Sequence, residues 1–291
     1  MRADADSQSS LATSARATCA RASWGRVFGG LAIVMATVAP ASASILDDFN
    51  AATLIADFRF DDTAGTKLED AANAVDPLNK LGVDADFNDA VTDGAGKYDG
   101  SGKANTEQGA SYLDVGNITS GKLYLLFDVA WAFDESIYDP SQDEEFRVSL
   151  MRDNASTAST FVTAENNFRR DSATTVSLFG NAVGTGSSDT PSISLGSSGD
   201  MLTILVADLD AQSMELFYST DDGSSFTSLG TGSLDPSRGV QSLRFVLNED
   251  FSNDSLLVDR IAYALVPEPA AAALLTIAVA MAGVARRTSD R

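Results

Sequence analysis

From Lys122 to Phe133 the chain repeats with a period of two. Leu123, Leu125, Phe127, Val129, Trp131 and Phe133 fall on one face of an extended strand, with Lys122, Tyr124, Asp128 and small alanines on the other. An α-helix would scatter those six apolar side chains around its axis, so the stretch constrains the fold to strands with one buried face. The pattern recurs. Leu54, Ala56, Phe58 and Phe60 alternate with Ile55, Asp57 and Arg59, and Phe146, Val148 and Leu150 with Arg147, Ser149 and Met151. Leu202, Ile204 and Val206 open another strand, and Met214, Leu216 and Tyr218 the next. Leu243, Phe245 and Leu247 form a further one, and Leu257, Asp259, Ile261, Tyr263 and Leu265 a last. Runs of Gly, Ser, Asp, Asn and Thr at 180–190 and 196–200 read as turns between them. Before residue 270 no segment has the pattern of an amphipathic helix of ordinary length. The expected class is all-β, a β-sandwich or jelly roll.

Both ends of the chain read as targeting segments. Arg16, Arg21 and Arg26 precede an apolar run from Val27 to Val38, followed by Ala41-Ser42-Ala43. A basic region, a short apolar run and small residues at −3 and −1 make a secretory signal peptide, cleaved after Ala43. At the other end, residues 270–285 (AAAALLTIAVAMAGVA) carry no charge. As a helix they span roughly 24 Å, slightly short of a typical ~30 Å hydrocarbon core. Pro267-Glu268-Pro269 comes before this run, and both prolines hold the segment extended. Arg286-Arg287 follows it and would stay on the cytoplasmic side. In this order the three parts resemble the PEP-CTERM signal of certain Gram-negative bacteria. The resemblance implies a partner, the membrane protease-transpeptidase exosortase, which recognises Pro267, Glu268 and Pro269 and removes the tail. A plain tail anchor is the competing reading, and a buried helix the less favoured one. The expected organisation is therefore a signal peptide over 1–43, a secreted domain over 44–266 and a sorting tail over 267–291. Contact with a membrane is expected only through that tail, before processing.

Charge narrows the partners. The chain has 20 Lys and Arg against 41 Asp and Glu, a net of −21. The leader holds four Arg and two Asp, and residues 270–291 hold three Arg and one Asp. That leaves 13 basic and 38 acidic residues between them, a net of −25. Such a surface disfavours nucleic acid and anionic membranes as partners. It is compatible with cations, with neutral glycans, or simply with solubility. The sole cysteine, Cys19, lies in the leader, so the secreted part has neither thiol nor disulfide.

Three stretches of the secreted part look like pieces of laminin-G-like domains of the concanavalin A-like fold. Leu54-Ile-Ala-Asp-Phe-Arg-Phe-Asp61, followed by Gly65, resembles their first strand. Leu202–Leu209 and Met214–Tyr218, joined by Asp210-Ala-Gln-Ser213, resemble a hairpin late in their chain. Leu256-Leu-Val-Asp-Arg-Ile-Ala262 resembles the closing strand, which returns beside the first. The resemblance implies a jelly roll, and such domains commonly hold calcium through loops scattered in sequence.

Several residues are candidates for local chemistry. Ser219, Asp221, Gly223 and Phe226 fit the Ser-x-Asp-x-Gly-x-x-aromatic spacing of an Asp-box hairpin. In that device the carboxylate accepts turn N–H groups, glycine takes positive φ and the aromatic ring packs beneath. This is a structural motif, not a catalytic one. The chain has no histidine, which excludes Ser-His-Asp and Cys-His catalysis and histidine-ligated zinc. Glycoside hydrolysis needs only two carboxylates, but the Glu-x-Asp-x-x-Glu strand of concanavalin A-like hydrolases is absent. Asp84, Asp86, Asn88 and Asp89 have the alternating oxygens of a calcium loop. However, Asp89 stands where a turn glycine belongs and Ala95 where the bidentate Glu belongs. Tyr98, Tyr112 and Tyr138 lie in or near expected loops and are the aromatic candidates for stacking on sugar rings.

The reading favoured by these features is an exported, exosortase-sorted protein of the envelope or extracellular matrix. Its sandwich binds or scaffolds polysaccharide without catalysis. A structural matrix protein with no glycan site is the nearer alternative, and a divergent glycan-active enzyme the more distant one.

Overall fold

The structure is a computed structural model, and it describes residues 44–83, 91–92, 97–99, 109–140, 145–153, 159–248 and 254–266. The leader with Ala41 and Ala43 lies outside the described residues. So do Asp84, Asp86, Asn88, Asp89 and the whole tail with Pro267, Glu268, Pro269, Arg286 and Arg287.

One short helix, α1 (Ile45–Ala51), opens the domain. Among the described residues fifteen strands follow: β1 (Thr53–Phe58), β2 (Gly82–Val83), β3 (Val91–Thr92), β4 (Tyr98–Asp99) and β5 (Gly109–Ile118). Next come β6 (Lys122–Ala132), β7 (Glu145–Met151), β8 (Val162–Ser172), β9 (Thr175–Asn181) and β10 (Ile193–Gly196). The last are β11 (Ser198–Asp208), β12 (Ser213–Ser219), β13 (Thr227–Ser233), β14 (Val240–Asn248) and β15 (Ser255–Val266).

All pairings between these strands are antiparallel, and they form two sheets. The eight-stranded sheet has the order β13-β12-β11-β6-β15-β4-β3, with β1 also paired to β15. The seven-stranded sheet has the order β10-β9-β8-β7-β14-β5-β2. The chain changes sheet between β1 and β2, β2 and β3, β4 and β5, β5 and β6, β6 and β7, β10 and β11, β13 and β14, and β14 and β15. Each sheet is thus built from strands distant in sequence, and the architecture is the jelly-roll sandwich that the alternation implies. The first strand lies beside the last, β1 on β15.

The apolar face of Lys122–Phe133 points inward along its whole length. Leu123, Leu125, Phe127, Val129, Trp131 and Phe133 are all buried in the main core. Phe127 reaches Phe146, Phe168 and Phe245 of the opposite sheet at ring-centroid distances of 6.3, 6.0 and 6.0 Å. Trp131 lies 5.3 Å from Phe168 and donates its indole N–H to the Gly196 carbonyl at 3.3 Å. Gly199 opposes Trp131 on the neighbouring strand, where a Cβ would stand 2.5 Å from the indole ring. A side chain there would displace the tryptophan.

In three places the structure corrects the alternation read from sequence. A bulge between Leu54 and Ala56 shifts β1, so Leu54 points out while Ile55 packs inward with Ala56 and Phe58. A second bulge between Val258 and Arg260 does the same in β15. Its inner residues are Leu256 and Val258, then Ile261 and Tyr263, not Leu257 and Asp259. An inserted residue reverses the faces downstream of it, and composition alone does not reveal it. Third, the outer face of β6 is not merely polar and small. Tyr124 and Leu126 join Ile204, Val206, Ala262 and Ala264 in a second, smaller core.

Helix α1 closes that second core. Ser44 and Asp47 form a reciprocal capping box, and Asp47 and Asp48 lie in the first turn, where the helix dipole favours acids. Phe49 is buried against the sheet with Ile45 and Leu46 alongside. The Asp-box turn sits against the same patch. The Asp221 carboxylate accepts the Ser219 hydroxyl at 2.6 Å and the Ser225 N–H and hydroxyl at 2.9 and 2.7 Å. Those bonds, the Ser219 one first, hold its pKa down at about 2. Gly223 has φ +79°, a Cβ there would meet Leu202 and Leu46, and Phe226 packs into the second core.

Beyond the edge of this lid, Asp128 points outward from β6 near Asp259 and Asp200. Burial, then repulsion from Asp259 and Asp200, pushes its pKa up to about 6, with Lys97 opposing. Lys97 is committed to Asp259 at 3.0 Å. The folded state therefore holds a proton on Asp128 that the unfolded chain releases near 3.8, so this group costs stability as pH rises from about 4 through about 6. Asp128→Asn is expected to be more stable than the parent at pH 7 and indistinguishable from it at pH 4. Urea unfolding at the two pH values measures this, and equal stability at pH 7 would refute it.

Candidate functional site

Strand alternation turns every second residue of the seven-stranded sheet away from the core. Phe146, Val148 and Leu150 of β7 point in, so Glu145, Arg147 and Ser149 point out. By the same rule Ala164 and Phe168 of β8 point in, and Glu165, Asn167 and Arg169 point out. The registers align these outward residues in cross-strand rows. One row runs Asn181, Glu165, Ser149 and Arg244 over β9, β8, β7 and β14, and the backbone of Tyr112 continues its register on β5. The next runs Phe179, Asn167, Arg147 and Val246, and a third Ser194, Ser177, Arg169 and Glu145. At ~4.8 Å between strands, the five-strand register extends over about 19 Å.

Glu165 is the hub of this face. Its Oε1 accepts the amides of Asn181 at 2.6 Å and Asn167 at 3.4 Å. Its Oε2 accepts the Ser149 hydroxyl at 2.8 Å and lies 3.7 Å from both Arg147 and Arg244. Asn167 also donates to Glu145 at 3.1 Å, and Glu145 pairs with Arg147. Glu165, Asn167 and Arg244 are only 2%, 3% and 1% exposed although they point away from the core. A charge this buried persists only where partners replace the lost water, and Glu165 has five such neighbours.

Around this buried centre lies an open rim. Arg169 and Asp171 pair at 3.1 Å, and the Ser177 hydroxyl also donates to Asp171. Phe179 and Asn181 are partly exposed and Ser194 is exposed. The Arg169 guanidinium lies 5.2 Å from the Phe179 ring centroid, which steadies both groups. Hydroxyls, an amide, a planar cation and an aromatic ring on one rigid strand pair can bind a polyhydroxylated ligand by hydrogen bonds and ring contact. The buried carboxylates are poorly placed for proton transfer, since arginine and amide donors already occupy their oxygens.

The tyrosines expected to stack on sugars behave differently. Tyr98 is 0% exposed on β4, its ring 5.7 Å from Phe245 and 5.9 Å from Phe60. It is a core residue, which removes it from the candidates. Tyr112 lies on β5 opposite Arg244, and its side chain lies outside the described residues. Tyr138 is half-buried and donates to the Asp171 carbonyl at 2.9 Å. Its ring and that of Phe133 flank the Arg170 guanidinium at 5.2 and 4.8 Å. It therefore braces the strand that carries Arg169 and Asp171. The Asp-box belongs to the other sheet's lid. Among the described residues no group of three or more acidic, histidine or cysteine side chains converges as a metal site. The calcium-loop candidates Asp84, Asp86, Asn88 and Asp89 lie outside those residues.

Sequence reasoning missed Glu165, Asn167, Arg169, Phe179, Asn181 and Arg244. A signal existed in Val162-Thr-Ala-Glu-Asn-Asn-Phe-Arg-Arg-Asp-Ser172. A stretch so polar that forms a central strand must place polar groups on a face that satisfies them.

No family model matches the chain, and no curated protein matches it. Among solved structures it is similar to the carbohydrate recognition domain of Emp46p, with 12% identity, 69% of this chain and 95% of that one covered, and a TM-score of 0.44. It is also similar to lectin II from Ulex europaeus, at 10% identity, 72% and 97% coverage and a TM-score of 0.43. The CBM2 module of the evolved Dit of Lactobacillus casei BL23 phage J-1 aligns at 10% identity, 74% and 96% coverage and a TM-score of 0.44. At that level of likeness no residue of this chain takes a role from those proteins.

Removing the hub tests whether the face is one network. Glu165→Ala leaves buried guanidinium and amide groups without their shared acceptor. It is expected to cost about 3–5 kcal/mol of unfolding free energy, the usual scale for breaking a buried ion pair. A loss below about 1 kcal/mol in urea unfolding would mark the network as equivalent to exposed surface pairs.

Proposed function

We propose that this is an exported, non-catalytic polysaccharide-binding protein of the envelope or extracellular matrix of a Gram-negative bacterium, sorted by exosortase. The observation that carries the binding reading is the outward face of the seven-stranded sheet. There the buried Glu165 network holds Asn181 directly and underlies the strand pair that presents Arg169, Ser177 and Phe179. Open, polar and extended across strands, such a face suits a chain-like polyhydroxylated ligand better than a compact one. Arginine pairing of both carboxylates supports binding over hydrolysis. The export and sorting reading is supported by the basic-apolar-small layout before Ser44 and by Pro267-Glu268-Pro269 with its apolar run and Arg286-Arg287.

The binding reading is tested with the purified exported protein on an array of bacterial and plant polysaccharides. Selective binding is expected, and Phe179→Ala should weaken it about tenfold, the scale of ~1.4 kcal/mol for one lost contact. Absence of selective binding would favour the structural matrix protein, and shortening of a bound polymer would favour an enzyme. Sorting is tested separately by intact mass in a host that encodes exosortase. The expected mature chain begins at Ser44 and ends near Pro267–Pro269, and a C-terminus still at Arg291 would refute processing.

A further inference from the structure

We propose that the ligand of this face is an uncharged polysaccharide, an inference that rests on the glycan-binding reading above. The charges on the face cancel locally. Arg147 pairs with Glu145, Arg169 with Asp171 at 3.1 Å, and Arg244 stands 3.7 Å from Glu165. Three guanidinium groups thus meet three carboxylates. Of the arginines, only Arg169 is substantially exposed, with 47% of its side chain accessible against 15% for Arg147 and 1% for Arg244.

To bind a uronate or a sulfate, one of these arginines would have to turn from its own carboxylate. For Arg147 or Arg244 that strands a buried negative charge, which costs more than one solvated ion pair returns. Arg169 could turn more cheaply, but it would leave Asp171 beside the incoming anion. It would also give up its contact with the Phe179 ring. The rest of the molecule adds to the bias. With a net charge of −21 on the full chain, it repels a polyanion over the ~8 Å Debye length of physiological salt.

What remains available is suited to hydroxyl groups. Ser177 and Ser194 lie directly opposite each other on β9 and β10, Asn181 presents an amide, and Phe179 presents a ring for the C–H face of a sugar. None of these contacts needs a charge on the ligand, so the affinity should be insensitive to salt.

The experiment is isothermal titration of the purified exported protein at 50 and 500 mM sodium chloride. One set of probes is neutral (dextran, galactomannan, xyloglucan and laminarin), and the other is acidic (polygalacturonate and alginate). The expected result is binding of at least one neutral polymer, with affinity changing less than about twofold between the two salts, and at least tenfold weaker binding of both acidic polymers. Comparable or tighter binding of an acidic polymer at 50 mM, lost at 500 mM, would overturn the inference while leaving glycan binding intact. Failure of every polymer, neutral and acidic, would overturn the glycan-binding reading itself and this inference with it.

Discussion

Phe127 touches three strands of the opposite sheet, through Phe146, Phe168 and Phe245, and the sandwich is organised around that contact. Phe146 and Phe168 are themselves stacked at 4.6 Å, and Trp131 and Phe133 extend the cluster toward one end. The chain has a single cysteine, Cys19, so no disulfide within it restrains the domain. Its two sheets are held by what they bury. Each such aromatic removes about 150–250 Å² from water, or roughly 4–6 kcal/mol at about 25 cal/mol per Å². That gain also sets geometry. Once Phe146, Phe168 and Phe245 are seated, the strands that carry them have no freedom to slip, because a slip of one residue would expose the rings.

The polar face follows from that restraint. Asn167 and Arg169 flank Phe168 on β8, Glu165 lies two residues before Asn167 on the same face, and Arg244 precedes Phe245 on β14. Fixing the aromatic residues inward fixes these polar neighbours outward, at registers that place Ser149 opposite both Glu165 and Arg244. The outward network repays part of its own desolvation through hydrogen bonds and so contributes less to net stability than the aromatic core does. What it supplies is position. Asn181 takes its place from a bond to Glu165, while Arg169 is held by Asp171 and by the Phe179 ring. On the other side of the same strand, Asn166 donates across the sandwich to Thr203, which in turn donates to the Phe127 carbonyl. β8 is thereby tied to both layers.

How far this was legible in sequence depended on whether one face of a strand was apolar and the other not. β6 met that condition over its inner face, so its five core residues, and Phe133 just beyond it, were readable in advance. β1 and β15 met it only in part, because each contains a bulge that swaps its faces midway. Tyr98 was misjudged because glycine-rich and polar neighbours suggested a loop, whereas two residues of strand suffice to seat the ring between Phe60 and Phe245. The polar face of the seven-stranded sheet was the hardest to see. Thr163, Glu165 and Asn167 are buried polar residues on one side of β8, and Asn166 and Arg170 are buried on the other. With polar groups on both faces there is no alternation to detect. The partners that make such burial tolerable come from β7, β9 and β14, remote in sequence. The Asp-box was legible for the opposite reason, since all its bonds close within eight residues.

The two outward faces of the sandwich differ in a way that bears on where a ligand can sit. On the eight-stranded sheet, the apolar patch of Tyr124, Leu126, Ile204 and Val206 is already covered by α1 and by Phe226 of the Asp-box turn. Beside that lid stand Asp128, Asp200 and Asp259, with Lys97 bound to one of them. A neutral glycan finds little there: the apolar area is occupied, and the neighbouring carboxylates are acceptors that repel one another. On the seven-stranded sheet the charges are paired, the donors and acceptors are mixed, and Phe179 is partly open. The difference originates in strand pairing. Arg147 of β7 pairs with Glu145 and reaches Glu165 of β8, whereas Asp128 of β6 stands near Asp200 of β11 and Asp259 of β15, and Arg260 opposite it on β15 pairs with Asp57 instead. Charge pairing across strands therefore makes the seven-stranded sheet the face on which a long uncharged ligand would lose the least by giving up its water.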